Sequence, residues 1–254
     1  MLARVHTAQV TGLRADTIDV ETDVSRGLHS FSIVGLGDKA VGEAKDRIKA
    51  AIKNSGLELP TQSSRKIVVS LAPADLRKEG ASFDLAIALA FLVAMEVLSF
   101  DPKKKMFVGE LSLGGEVRPI RGVLIIAQHA AKKGFTELYV PRENAEEAAL
   151  VRGLSVFPIS ALRDITAHLD TGKKENHVRI SRAPETEPNE ERPAGTIDFE
   201  DIVGQESAKR GLEIAAAGGH NVAMYGPPGT GKTMMAKAFA GILPPLTFED
   251  SLEA

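Results

Sequence analysis

Cysteine is absent from the 254 residues, which excludes disulfides and thiolate metal sites and fits a reducing compartment. Charge of one sign is lacking too: 31 Lys and Arg against 34 Asp and Glu leave a formal net charge of −3. No global basic field advertises nucleic acid, so any such contact needs a local patch. No apolar run reaches membrane-spanning length, and the start MLARVHTAQVTGL is too polar for a signal peptide. A cytoplasmic setting with no membrane is the expectation. His6, His29, His129, His168, His177 and His220 show no metal-ligand spacing. What remains is ordinary globular composition, 43% hydrophobic and 26% charged, with length for one large domain or two modest ones.

Residues 3–10 and 13–22 alternate in strand fashion around Thr11-Gly12, and HSFSIVGL adds a further β-type run. In GDKAVGEAKDRIKAAIKNSG the period changes. Val41, Ala44, Ile48, Ala51 and Ile52 recur at helical spacing, with Asp38 as a candidate cap and Gly56 past the end. RKIVVSLAP reads as a buried strand, and FDLAIALAFLVAMEVL, apolar nearly all round, as a core helix. KMFVGELSLGGEVRPIRG reads as two strands joined near Gly114-Gly115. VLIIAQHAAKKG, TELYVP, RENAEEAALVRG, SVFPIS and ALRDITAHLD then alternate helix and strand. Residues 1–170 are thus expected to form an α/β domain. The polar, proline-bearing residues 171–196 read as a linker, and 197–254 as the opening of a second domain.

The strongest chemical signal is NVAMYGPPGTGKTMMAKAFAG, which matches G-x-x-x-x-G-K-[ST] at residues 226–233. VAMY reads as a short buried strand and TMMAKAFAG as a helix, the context this loop requires. Gly226, Gly229 and Gly231, interleaved with Pro227, Pro228 and Thr230, let the backbone bend so that its N–H groups surround phosphate oxygens. The helix that follows turns unpaired N–H groups and its positive dipole end on the same phosphates. Lys232 reaches the β- and γ-phosphates and the Thr233 hydroxyl ligates Mg²⁺, so ATP and Mg²⁺ are the expected cofactors. Upstream, Ile202-Val203 before Gly204 is placed to sit against an adenine ring.

Phosphoryl transfer also needs an acid to hold Mg²⁺ and a group to orient water. GILPPLTFEDSLEA offers no strand for them, because Glu249, Asp250 and Glu253 follow a Pro-Pro break. The chain is therefore expected to be the N-terminal part of a longer ATPase, without hydrolysis of its own.

Four stretches together resemble the N-terminal half of the Mg-chelatase-like YifB/ComM family of AAA+ ATPases. They are SFSIVGLGDKAVGEAKDRIKAAIKNSG, KIVVSLAPADLRKEGASFDLAIALAFL, FVGELSLGGEVRPIRGVL and DIVGQESAKRGLEIAAAGGHNVAMYGPPGTGKTMMAKAFAGILPPL. The resemblance runs across essentially the whole chain, and its GGHN and GILPPL are narrower signatures than the loop itself. It implies a ribosomal protein S5 domain 2-like fold for residues 1–170, shared with the Lon protease domain. The start of a P-loop AAA+ module follows at 197–254. It further implies a bacterial protein that assembles as a homo-hexameric ring around branched or single-stranded DNA. There the full-length protein would act as a helicase, driving branch migration as DNA is integrated in natural transformation. The ATPase subunit of a magnesium-chelatase-type metallochelatase is an alternative, and it would require partner subunits.

Lys78-Glu79-Gly80-Ala81-Ser82 resembles the Lon segment that carries the nucleophilic serine. A serine hydroxyl is weak without a base. The lysine that Lon places after a hairpin falls here on Leu124, in GGEVRPIRGVLIIAQ. Arg121 stays protonated, and Lys132 and Lys133 lie about two helical turns further on. Ser82 is therefore expected to cap the helix that follows, accepting from a first-turn N–H, and a Lon-like ATP-dependent protease is disfavoured. The runs Lys103-Lys104-Lys105 and Lys132-Lys133 read as solvated charge ahead of DNA-phosphate contacts. Asp75 and Arg77 read as turn residues or as a pair at a subunit boundary.

Overall fold

The computed structural model describes residues 2–28, 30–35, 38–57, 65–76, 78, 80–172, 179–187, 197–244 and 250, with the backbone alone for 38–42. The chain divides into two compact units, Met1–Thr186 and Glu187–Ala254. The first runs β1 (Leu2–Thr11), β2 (Arg14–Arg26), β3 (Ser30–Val34), α1 (Asp38–Asn54), β4 (Arg65–Ala72), α2 (Asp84–Ala94), β5 (Lys105–Phe107), β6 (Glu110–Leu111), β7 (Val117–Arg118), α3 (Val123–Lys132), β8 (Glu137–Pro141), α4 (Ala145–Ala148), β9 (Ser155–Ile159) and α5 (Leu162–Leu169). The second carries α6 (Glu206–Gly218) and α7 (Lys232–Ile242).

The alternation at the start of the chain produces a long antiparallel hairpin, in register from Leu2↔Asp23 to Thr11↔Arg14. Its loop is only Gly12-Leu13. Gly12 at φ +60 fills the first central position, where a left-handed residue matches the twist of the strands. Seven strands form one sheet in the order β3-β4-β2-β1-β5-β8-β9. Its pairings are parallel apart from β1–β2 and β2–β4. β6 and β7 make the small hairpin expected around Gly114-Gly115. The first unit is therefore a mixed α/β fold.

Helices cover both faces of this sheet. On one face, α2 is buried from Asp84 to Leu92 and lies against β1 and β2, with α1 packed over it. Each fully buried Leu- or Ile-sized side chain there contributes about 1.5–3 kcal/mol. On the other face, Val123 and Ile126 of α3 meet Ala8, Met106, Leu138, Val140 and Val156. The helix read as running to Leu98 stops at Ala94. Glu96 adopts φ +61, its N–H donates to Val93 O at 3.0 Å, and the Val97 N–H donates to Leu92 O at 3.0 Å. Those bonds close the helix in a Schellman motif before its apolar run is exhausted. Among the described residues, no helix is long and apolar enough to cross a membrane.

The described part of the expected linker packs on the first unit. The Ala183 N–H donates to Val156 O at 2.8 Å, the Thr186 N–H to Ala149 O at 3.2 Å, and the Ile180 N–H to His168 Nδ1 at 3.0 Å. This strap covers the edge of β9, a strand that would otherwise offer unpaired backbone groups. A chain ending at residue 170 is therefore expected to be less stable than one ending at 187, by about 1–3 kcal/mol for the lost bonds. Urea unfolding of the two lengths checks this; equal midpoints would show the strap to be energetically idle.

The second unit has a small core of Ile202, Leu212, Met235 and Ala238. The stretch VAMY, expected as a buried strand, carries no strand pairing, and Tyr225 is fully exposed. A strand needs a neighbour to take up its N–H and C=O groups, and residues 197–254 hold no second strand among those described.

Candidate nucleotide site

α7 opens at Lys232, with Gly231 as its N-cap and no side-chain cap hydrogen bond. Its first-turn N–H groups are thus left facing the loop. Gly229 and Gly231 sit at φ +82 and +80, left-handed positions that turn the chain sharply into the helix. The Lys232 ammonium folds back, donating to Pro227 O at 2.6 Å and to Thr230 Oγ1 at 3.3 Å. The Thr230 hydroxyl donates to the same Pro227 carbonyl at 3.0 Å. Thr233 is exposed at the second helical position. These residues fit a triphosphate with its Mg²⁺: uncapped amides, an ammonium over the loop and a free hydroxyl lie within one turn.

Ile202 and Val203 part company. Ile202 is buried in the small core, and the Lys209 ammonium donates to its carbonyl, whereas Val203 is 96% exposed. Only Val203 is open to a base. The GGHN stretch closes α6: the His220 N–H donates to Ala215 O at 2.9 Å, and a Cβ on Gly218 would meet His220 Nε2 at 2.5 Å.

Ser82 does not cap α2. The N-cap is Phe83, no side-chain cap hydrogen bond forms, and the Asp84 N–H donates to Ala81 O at 3.1 Å. The turn itself has taken the first helical donor. The Ser82 carbonyl instead accepts from the Gly109 N–H at 3.1 Å, tying the turn to the segment after β5. Ser82 and Arg121 both line a groove of about 640 Å³ that Leu124 does not reach. Leu124 is half-buried, and its N–H donates to Glu147 Oε1 at 3.3 Å. Lys78 is buried and donates to the carbonyls of Pro73 and Leu76, and burial lowers its pKa.

A buried ion pair escaped the sequence reading. Arg47 Nε and Nη2 donate to the Asp84 carboxylate at 2.8 and 3.3 Å, joined by the Leu111 N–H at 3.4 Å. Asp84 is 1% exposed and Arg47 22%. Burial pushes the Asp84 carboxyl up despite its partner, while the pairing raises Arg47, which keeps more of its water. The signal was an aspartate at the head of an apolar helix.

Among the remaining candidates, Lys105 pairs with Glu137 at 2.7 Å, and Lys103, Lys104, Lys132 and Lys133 are exposed. His6 meets Asp19 and His129 meets Thr17, each at 2.8 Å, and burial lowers the His129 pKa. No group of three metal-ligating side chains occurs among the described residues. His29, Arg77, His177, Glu249 and Glu253 lie outside them.

Two sequence families match. Residues 20–144 match the family described as subunit ChlI of Mg-chelatase, and residues 198–254 that described as magnesium chelatase, subunit ChlI. The uncharacterized protein YifB of Salmonella typhimurium is 42% identical over the whole chain, and the competence protein ComM of Haemophilus influenzae 40% over 99% of it. The chain belongs to the YifB/ComM-like family. It spans about half the length of these relatives, 48% in each case. Similarity to the Lon proteases is weaker: an archaeal Lon protease of Archaeoglobus fulgidus is 32% identical over 39% of this chain and 17% of its own length. The family descriptions and these relatives fit an α/β AAA+-like module, with nucleotide and Mg²⁺ use implied for the family.

Proposed function

We propose that this chain is the ATP-binding N-terminal part of an AAA+ motor that remodels DNA, and that its first unit is an S5-like, Lon-type scaffold without peptidase chemistry. The observation that carries the reading is the loop Gly226–Thr233, set against the uncapped start of α7 with Lys232 folded over it. Bound Mg²⁺·ATP supplies the phosphoanhydride whose hydrolysis drives the full-length protein. This chain's own part is to hold it. Loop amides and the start of α7 bind phosphate oxygens, Lys232 neutralises the terminal phosphates, and the Thr233 hydroxyl faces the metal. Val203 offers apolar surface for the base.

The Haemophilus influenzae relative is named a competence protein, which favours DNA as the substrate. A hexameric ring engaged in branch migration is the arrangement proposed for the full-length protein in the bacterial cytoplasm. A metallochelatase subunit is the reading favoured by the family descriptions. ATPase assays of the full-length protein separate the two. Branched DNA should raise the rate several-fold over no DNA; a rate indifferent to DNA but raised by magnesium-chelatase partner subunits overturns the motor. Absence of Ser82-dependent peptide cleavage in the same preparation is the expected companion result, since Leu124 provides no base.

A further inference from the structure

The groove beside Ser82 runs along an unfinished part of the sheet. Because Gly12-Leu13 is a two-residue loop, Thr11↔Arg14 is a hydrogen-bonded pair. Alternation along β1 then directs the N–H and C=O of His6, Ala8 and Val10 away from β2. β5 meets β1 only at His6↔Met106 and ends at Phe107. Beyond it, Val108 donates to Tyr139 O and Gly109 to Ser82 O, so the chain leaves the edge of β1. Ala8 is fully buried, and the open part of the edge is Val10.

The polar groups there are incompletely matched. Gln9 Nε2 donates to Val10 O at 3.0 Å, the place an incoming strand's N–H would take. Gln9 Oε1 is buried with no partner among the described residues, and Ser82 lines the same groove. The walls are the Gly80–Ser82 turn on one side and Pro119–Gly122 with the start of α3 on the other. Ile125 and Ile126 add apolar surface, while Arg121 and Glu110 leave the lining without net charge. About 640 Å³ falls within the usual range of ligand clefts, roughly 300–1,000 Å³.

We propose that this groove binds an extended polypeptide segment, which pairs with Val10 as an added strand. A neutral chain of amides supplies a donor for Val10 O and an acceptor for its N–H. It also offers donors to Gln9 Oε1 and the Ser82 hydroxyl, and lays an apolar side chain on Ile125. Phosphate-bearing ligands fit poorly, since Arg121 is the one cation lining the groove among the described residues and Glu110 opposes it. The groove is lined entirely by residues of the first unit and shares none with the nucleotide loop.

The test uses the full chain without nucleotide and positional-scanning pools of dye-labelled, end-capped hexapeptides, read by fluorescence anisotropy. At least one pool is expected to bind. The best sequence is then remade with single backbone N-methyl groups, and one of these should weaken binding at least tenfold while the protein is untouched. Ile125→Arg should weaken it similarly, and hydrogen exchange at the Val10 amide should slow on saturation. Failure of every pool to bind overturns the proposal. Binding indifferent to N-methylation at all positions does so too, because no backbone pairing would then be involved.

Discussion

Replacing Lys232 by Ala is expected to weaken Mg²⁺·ATP binding by about 10- to 100-fold, the loss of one or two charge-assisted hydrogen bonds to phosphate. Titration calorimetry on the full-length protein reads it directly. The substitution should leave folding intact, because among the described residues the ammonium bonds only Pro227 O and Thr230 Oγ1, on a loop outside the small core. Thr233→Ala should act differently, lowering affinity only when Mg²⁺ is present. Unchanged ATP affinity in Lys232→Ala would remove the loop from the nucleotide site. That result would sink the proposed function while leaving the peptide groove untouched.

Arg47→Met is expected to destabilise the first unit by about 3–5 kcal/mol, the usual cost of leaving a buried charge without its partner. Asp84 is almost completely enclosed and, among the described residues, keeps only the long bond from the Leu111 N–H once the guanidinium is gone. The deficit should depend on pH in a definite sense. Burial already raises this carboxyl above its ordinary value of 3.8, and losing Arg47 raises it further. A carboxyl raised in the folded state favours folding below its unfolded pKa and loses that advantage as pH climbs through the folded value. The variant should therefore recover ground on acidification. Denaturant midpoints measured from neutral towards acid pH test this, and a gap to the parent that widens would contradict it. Arg47→Met combined with Asp84→Leu should regain most of the lost stability, since an apolar pair of similar volume suits the core.

The elements that sequence reading located well are those whose periodicity is their own. The hairpin of β1 and β2 alternates over its full length, and α1 and α2 follow helical spacing or unbroken apolarity. Features that depend on a neighbour were illegible. VAMY has strand composition, yet a strand exists only where another lies beside it. The start of α2 has a serine at a plausible capping distance, yet the Ala81 carbonyl claims the donor first. The open edge at Val10 depends on how early β5 ends, which nothing in the sequence of β1 records. Asp84 heads an otherwise apolar helix, a signal the sequence reading passed over, and its partner lies in another helix.

The loop motif was the clearest chemical signal in the sequence, and the structure adds the posture of its lysine. Lys232 is already held by Pro227 O and Thr230 Oγ1. A long cationic side chain carries up to about 2 kcal/mol of rotamer entropy. Much of that freedom is spent before any anion arrives, so binding exchanges one set of oxygen acceptors for another and freezes little more. Affinity at this site is then governed by preorganisation of the loop, and substitutions at Thr230, which never meets the metal, should be felt through the lysine it steadies.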